Sequence, residues 1–100
     1  MATVILGGCP FWYHGIMVPI ERVQSGVRME RRLLKVLKGL AEYLDISLGD
    51  LLEGVVLHAF EGKLAFDEPT LAIVEQLKHV YGMDLTAADS HKMSEGTVAR

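Results

Sequence analysis

One hundred residues with ten lysines and arginines against thirteen aspartates and glutamates set the first limits. A single domain is the default at this length, and the acidic balance alone does not suggest a polyanionic partner. One cysteine, Cys9, excludes an intramolecular disulfide framework.

No apolar run approaches the ~18 residues that a membrane-spanning helix needs. The start lacks a basic leader region, and ATVIL is broken at once by Gly7, Gly8 and Pro10, so no signal peptide is expected. The expected location is the cytoplasm, with no membrane partner. Half of the residues are hydrophobic. A chain this small has little interior, so the surplus predicts burial in an oligomer.

The charges are unevenly placed. From Glu21 to Lys38 there are six basic residues (Arg22, Arg28, Arg31, Arg32, Lys35, Lys38) and two acidic ones, net +4. From Gly39 to Glu68 there are seven acidic residues and one basic, net −6. A basic half beside an acidic half is an electrostatically polarised molecule.

Residues 1–20 read as an N-terminal arm. ATVIL suits a short strand, GGCPFWYHG is rich in turn residues and aromatics, and IMVPI is apolar and ends near Pro19. No period persists, so the arm is expected either to pack on a dimer or to be poorly ordered. A start at Met17 is a further hypothesis, which detection of residues 1–16 in natively expressed protein would reject.

Residues 22–29 predict a strand. Its alternation places Arg22, Gln24, Gly26 and Arg28 on one face and Val23, Ser25, Val27 and Met29 on the other. Arginine can bond guanine O6 and N7 in bidentate fashion, and glutamine can do the same with adenine N6 and N7. A lone short strand needs a partner, and a second copy of the chain is the expected one.

The next segment predicts a helix, ERRLLKVLKGLAEYL. Leu33, Leu34, Leu37, Leu40, Ala41 and Leu44 form one stripe at helical period, widened by Val36 and Tyr43. Asp45 to Ser47 form a turn. Ser47 is expected to cap a second helix, with Asp50 three positions on as a capping-box partner. The second stripe is Leu48, Leu51, Leu52, Val55, Val56, Ala59 and Phe60. Gly54 in mid-helix costs roughly 1 kcal/mol against alanine, which a close helix crossing would explain.

Strand, helix, short turn and capped helix resemble the ribbon-helix-helix (MetJ/Arc/CopG-like) DNA-binding family, with an Arc-repressor-like core. The resemblance covers Arg22 to Phe60 and rests on QSGVRM and LAEYLDIS. It implies a mainly α fold: an intertwined homodimer with a two-stranded antiparallel intermolecular β-ribbon, plus a third, C-terminal helix. It also implies that Gln24, Gly26 and Arg28 face bases, and that the second-helix N-terminus at Ser47 and Leu48 binds a phosphate. Arg22, Arg31 and Arg32 are expected to steer toward phosphate. The expected dimer core is Val27, Met29, Leu37, Leu40, Leu52, Val55 and Val56. Two positions depart from the family pattern: Gly26 offers no side chain on the reading face, and Asp45 stands where the turn usually has Gly or Asn.

The domain therefore spans 21–61. Residues 62–83 add a C-terminal helix extension: Gly62 is a C′ residue, DEPT a helix start, and Gly82 a stop. Leu71, Val74, Leu77 and Tyr81 share one face of it, with Ile73 and Val80 beside them. This helix is expected to pack on the dimer, with tetramer formation on DNA or a protein partner such as a toxin as the other roles. Residues 84–100 are polar and aperiodic and predict a disordered tail.

Cys9 and His14 form the closest pair of potential metal ligands, and they fall in a loop. His58 and His79 lie on helices. No metal or cofactor is expected, and no nucleophile–base pair or phosphate-binding glycine loop suggests an enzyme. The functional expectation is a sequence-specific, double-stranded-DNA-binding prokaryotic transcriptional regulator. The alternative is an antitoxin or other protein-interaction module whose C-terminal helix binds a partner.

Overall fold

The computed structural model describes residues 18–96 together with two short strands, β1 (Ile5–Leu6) and β2 (Cys9–Pro10). These strands pair antiparallel, Ile5 opposite Pro10 and Leu6 opposite Cys9. Three helices follow: α1 (Arg31–Leu44), α2 (Leu48–Phe60) and α3 (Glu68–Tyr81). No helix is long and apolar enough to cross a membrane among the described residues.

Each helix starts and stops for a local chemical reason. Glu30 caps α1 by accepting the Leu33 N–H at 2.8 Å. Asp45 ends α1 in the left-handed conformation at φ 63°, and the next N–H, on Ile46, returns to the Ala41 carbonyl at 3.0 Å. This 6→1 bond satisfies a carbonyl that the helix end leaves free. Aspartate thus fills the left-handed position where glycine is the commoner choice. Ser47 caps α2, its Oγ accepting the Asp50 N–H at 3.0 Å. Asp67 caps α3, accepting the Thr70 N–H at 3.0 Å. Gly62 and Gly82 sit after α2 and α3 at φ 69° and 64°, where a side chain would be strained.

The core centres on Leu40, Ala41, Leu44 and Leu51, with Leu37, Ile46, Val55, Phe66, Ile73, Val74 and Leu77 packed around them. Leu40 and Leu51 are fully enclosed. α1 is the central element and makes its most extensive packing with α3. Gly39 allows the close approach, because a Cβ there would stand 3.0 Å from Leu77 Cδ2. The inward face of α3 carries Ile73, Val74 and Leu77, together with the buried Thr70. The expected face is therefore partly corrected. Leu71 and Val80 point outward, and Tyr81 is partly exposed with Lys35 Nζ 5.7 Å from its ring centroid.

The expected ribbon-helix-helix dimer with an intermolecular β-ribbon is corrected by this architecture. Residues 18–30 are irregular, and the paired strands lie within one chain, at Ile5–Leu6 and Cys9–Pro10. The physical reason is that alternating polarity defines two faces only once a ladder supplies hydrogen bonds on the strand's edges. Among the described residues no segment lies in register with 22–29, and Val23 and Val27 remain 78% and 75% exposed.

The residues expected in a dimer core divide three ways. Leu40, Leu37 and Val55 belong to the chain's own core. Met29 and Leu52 are half-buried, and Val27 and Val56 are exposed. The arm at 1–20 lies mostly outside the described residues, and so does the Cys9–His14 pair, apart from the Cys9 backbone. The segment after α3 carries a 3-10 turn at Ala87–Asp89, closed by the Thr86 N–H donating to Asp89 Oδ2 at 2.8 Å.

Candidate nucleic-acid interface

The sequence-predicted contact residues fall into two groups. The first joins Arg22 to the start of α2. Arg22 Nε donates to Glu53 Oε2 at 2.9 Å, and its terminal nitrogen donates to Glu53 Oε1 at 2.8 Å. The same nitrogen lies 3.6 Å from Asp50 Oδ1. This bidentate pair ties residues 20–24 to the first two turns of α2. The bonded guanidinium holds the Glu53 carboxyl below the ordinary carboxylate range.

Ser47 and Leu48 stand at the same end of α2. The Ser47 hydroxyl is occupied as the cap, and the Asp50 carboxylate faces Arg22. The expected capping box is therefore half formed through Ser47, with the acidic partner turned toward the guanidinium. Asp50 places negative charge where a helix N-terminus favours an anion, so any phosphate approaching here meets a carboxylate already in place.

The second group gathers Arg28, Arg31 and Arg32 at the start of α1. They line a cleft of about 870 Å³ together with Leu85, Met93, Ser94, Glu95 and Gly96. Arg28 pairs with Glu95 at 2.6 Å while its side chain stays 84% exposed. Arg32 Nε donates to Glu30 at 3.0 Å, and its Nη1 donates to the Gly82 carbonyl at 3.0 Å and to Asp84 Oδ1 at 3.1 Å. Burial pushes the Glu30 carboxyl up, but the Leu33 N–H and the Arg32 guanidinium outweigh it and hold it below its ordinary range. Arg31 is exposed and makes no ion pair among the described residues.

Gln24 and Gly26 lie between the two groups, exposed to solvent. A Cβ at Gly26 would meet nothing within 4 Å, so no packing requires glycine there. Exposed ion pairs contribute little to stability and exchange readily for other charges. Arg22 and Arg28 are therefore available to a phosphate at the cost of displacing surface carboxylates, whereas Arg32 must also release the half-buried Glu30 and the Gly82 carbonyl.

Glu53, Asp84 and Glu95 were missed by sequence reasoning. Acidic charge within the chain was visible, but its position opposite particular arginines was not. His58 is accounted for within its own helix, with Nδ1 2.7 Å from the Gly54 carbonyl oxygen. Among the described residues no group of three or more acidic, histidine or cysteine side chains is placed to hold a metal ion.

Comparison with family models, curated proteins and solved structures gives no match for the chain.

Proposed function

We propose that this protein binds double-stranded DNA as a homodimer and regulates transcription. The observation that carries the proposal is the continuity of residues 21–38: an irregular segment, exposed from Glu21 to Arg28, runs directly into the basic first turns of α1. Arg28, Arg31 and Arg32 converge there, and Lys35 and Lys38 follow on exposed positions of the same helix. Phosphate contacts from such a cluster supply affinity, and Gln24 and Arg28 have the donor geometry to read base edges. Dimerisation is supported by apolar surface on α2 and just beyond it, where Leu57, Phe60 and Leu64 are 62%, 79% and 82% exposed.

A binding-site selection from random duplexes at low salt tests the reading. The expected result is enrichment of a motif whose two half-sites report a dimer. Failure to bind any duplex more tightly than a neutral control protein at about 50 mM salt sinks it.

A second reading is supported by α3, whose outer surface carries the exposed Leu71 and Val80. In that reading the helix docks a protein partner, as in the antitoxin of a toxin–antitoxin pair. Co-purification of a stoichiometric neighbour-encoded partner, lost on Val80→Asp, would favour it.

A further inference from the structure

We propose that the segment after α3 masks the basic cluster of α1 and competes with DNA for it. The inference rests on the DNA-binding reading above. Residues 82–96 leave α3 through the left-handed Gly82 and are anchored by the buried Met83, whose N–H returns to the Lys78 carbonyl at 2.9 Å. From that anchor the segment crosses in front of the start of α1.

Three contacts hold it there. The Gly82 carbonyl and the Asp84 carboxylate both accept from Arg32, at 3.0 and 3.1 Å. Glu95 pairs with Arg28 at 2.6 Å. Between these points the Thr86–Asp89 turn, in which the Thr86 hydroxyl also donates to Asp89 Oδ2 at 3.2 Å, reverses the chain so that Glu95 can come back to Arg28. The apolar Leu85 and Met93 line the cleft alongside Met29.

The segment thus presents carboxylates to two of the three arginines of the cluster and leaves Arg31 uncovered. Asp84 and Glu95 are 82% and 70% exposed, so the contacts are solvent-screened and displaceable. A polyanion offers the same arginines a denser array of negative charge and releases counterions on binding. The expected device is a competition: the tail lowers affinity for any duplex, and a duplex that binds must lift it.

The test uses the full chain and a fluorescein-labelled random-sequence duplex, read by anisotropy. Asp84→Asn combined with Glu95→Gln is expected to tighten binding on the order of tenfold at ~50 mM salt with little change in the log–log salt slope, because the same arginines meet phosphate once the tail is lifted. Glu42→Gln combined with Glu75→Gln removes the same charge elsewhere and is expected to change affinity much less. Equal tightening by this control overturns the mask, because bulk charge then explains the gain.

A second readout follows the tail itself. The Ser94, Glu95 and Gly96 amides are expected to lose order, by ¹⁵N heteronuclear NOE, on saturation with duplex and in the DNA-free Arg28→Gln/Arg32→Gln variant. Duplex bound with the tail amides unchanged overturns the proposal, as does a tail indifferent to loss of both arginines. A tail released by the substitutions, in a protein that binds no duplex in any form, overturns instead the DNA reading on which the mask depends.

Discussion

Arg28 and Arg22 carry the same charge but occupy different situations. Arg22 is clamped by both oxygens of Glu53 and serves first to hold the irregular segment around it against α2. Arg28 has one carboxylate partner and a largely exposed guanidinium, so under the DNA-binding proposal it is the one expected to read a base. Arg28→Ala is expected to cost about 1–3 kcal/mol on a preferred duplex and to relax specificity at one position. Competition binding against single-base variants of the selected site checks both effects.

Glu53 makes the Arg22 clamp pH-sensitive. Its carboxyl lies below the ordinary range because the Arg22 guanidinium bonds it. A depressed carboxyl contributes stability above its unfolded pKa and loses that contribution as pH falls through the folded one. Residues 20–24 are therefore expected to detach from α2 as the pH falls below the ordinary carboxylate range, seen as movement of the Val23 and Gln24 amide resonances. The same resonances should already occupy the detached positions at pH 7 in Glu53→Gln.

At the scale of elements, the helices are set by caps and by one close crossing. Ser47 supplies the side-chain oxygen that satisfies the Asp50 N–H. Ser47→Ala is expected to destabilise the fold by about 1 kcal/mol, measured by urea titration, whereas Ser47→Asp should preserve it. The α1–α3 crossing depends on Gly39, because Leu77 Cδ2 already occupies the space beside a Cβ. Leu77 is packed against the core and cannot retreat freely. Gly39→Val is expected to force the helices apart and to cost about 1–3 kcal/mol, as overpacking usually does. A truncated partner in the same background, Leu77→Ala, should recover part of that loss in a double-mutant cycle, since the two side chains contend for one volume.

For the whole molecule, the balance between interior and surface is the telling feature. The core of α1, α2 and α3 encloses few large side chains completely, while Leu57, Phe60 and Leu64 stand open beside α2. Such apolar surface is expected to be covered by a second copy. Light scattering should give about twice the 11.1 kDa chain mass. Phe60→Asp should shift the protein toward monomer and weaken duplex binding together, because the binding cluster is then presented once instead of twice. A wild-type protein that scatters as a monomer at concentrations of on the order of 100 μM would remove the dimer from the proposal.

Much of the local structure was legible in the residues. The period of Leu33 to Leu44 and of Leu48 to Phe60 marks two amphipathic helices, because a helix brings every third and fourth residue to one face. Ser47, Gly62, Pro69 and Gly82 mark ends through their backbone and hydrogen-bonding chemistry, which depends only on near neighbours. Which side of α3 turns inward was not legible. Two overlapping faces share Val74 and Leu77, and the partner helix, with its gap at Gly39, selects the one that includes Thr70 and Ile73.

The stretch from Arg22 to Met29 shows the same division most clearly. Its alternating polarity was visible, but an alternating pattern carries no hydrogen-bond partners of its own, and the segment is irregular, without a ladder among the described residues. The ion pairs of Arg22 with Glu53, Arg28 with Glu95 and Arg32 with Asp84 join residues far apart in the chain. Sequence alone determined where helices form and where positive charge accumulates, because both follow from neighbours within a few turns. Only the tertiary structure decided which carboxylates face those arginines, because Coulomb attraction depends on distance through space, and the packing of α3 on α1 is what brings the tail across the start of α1.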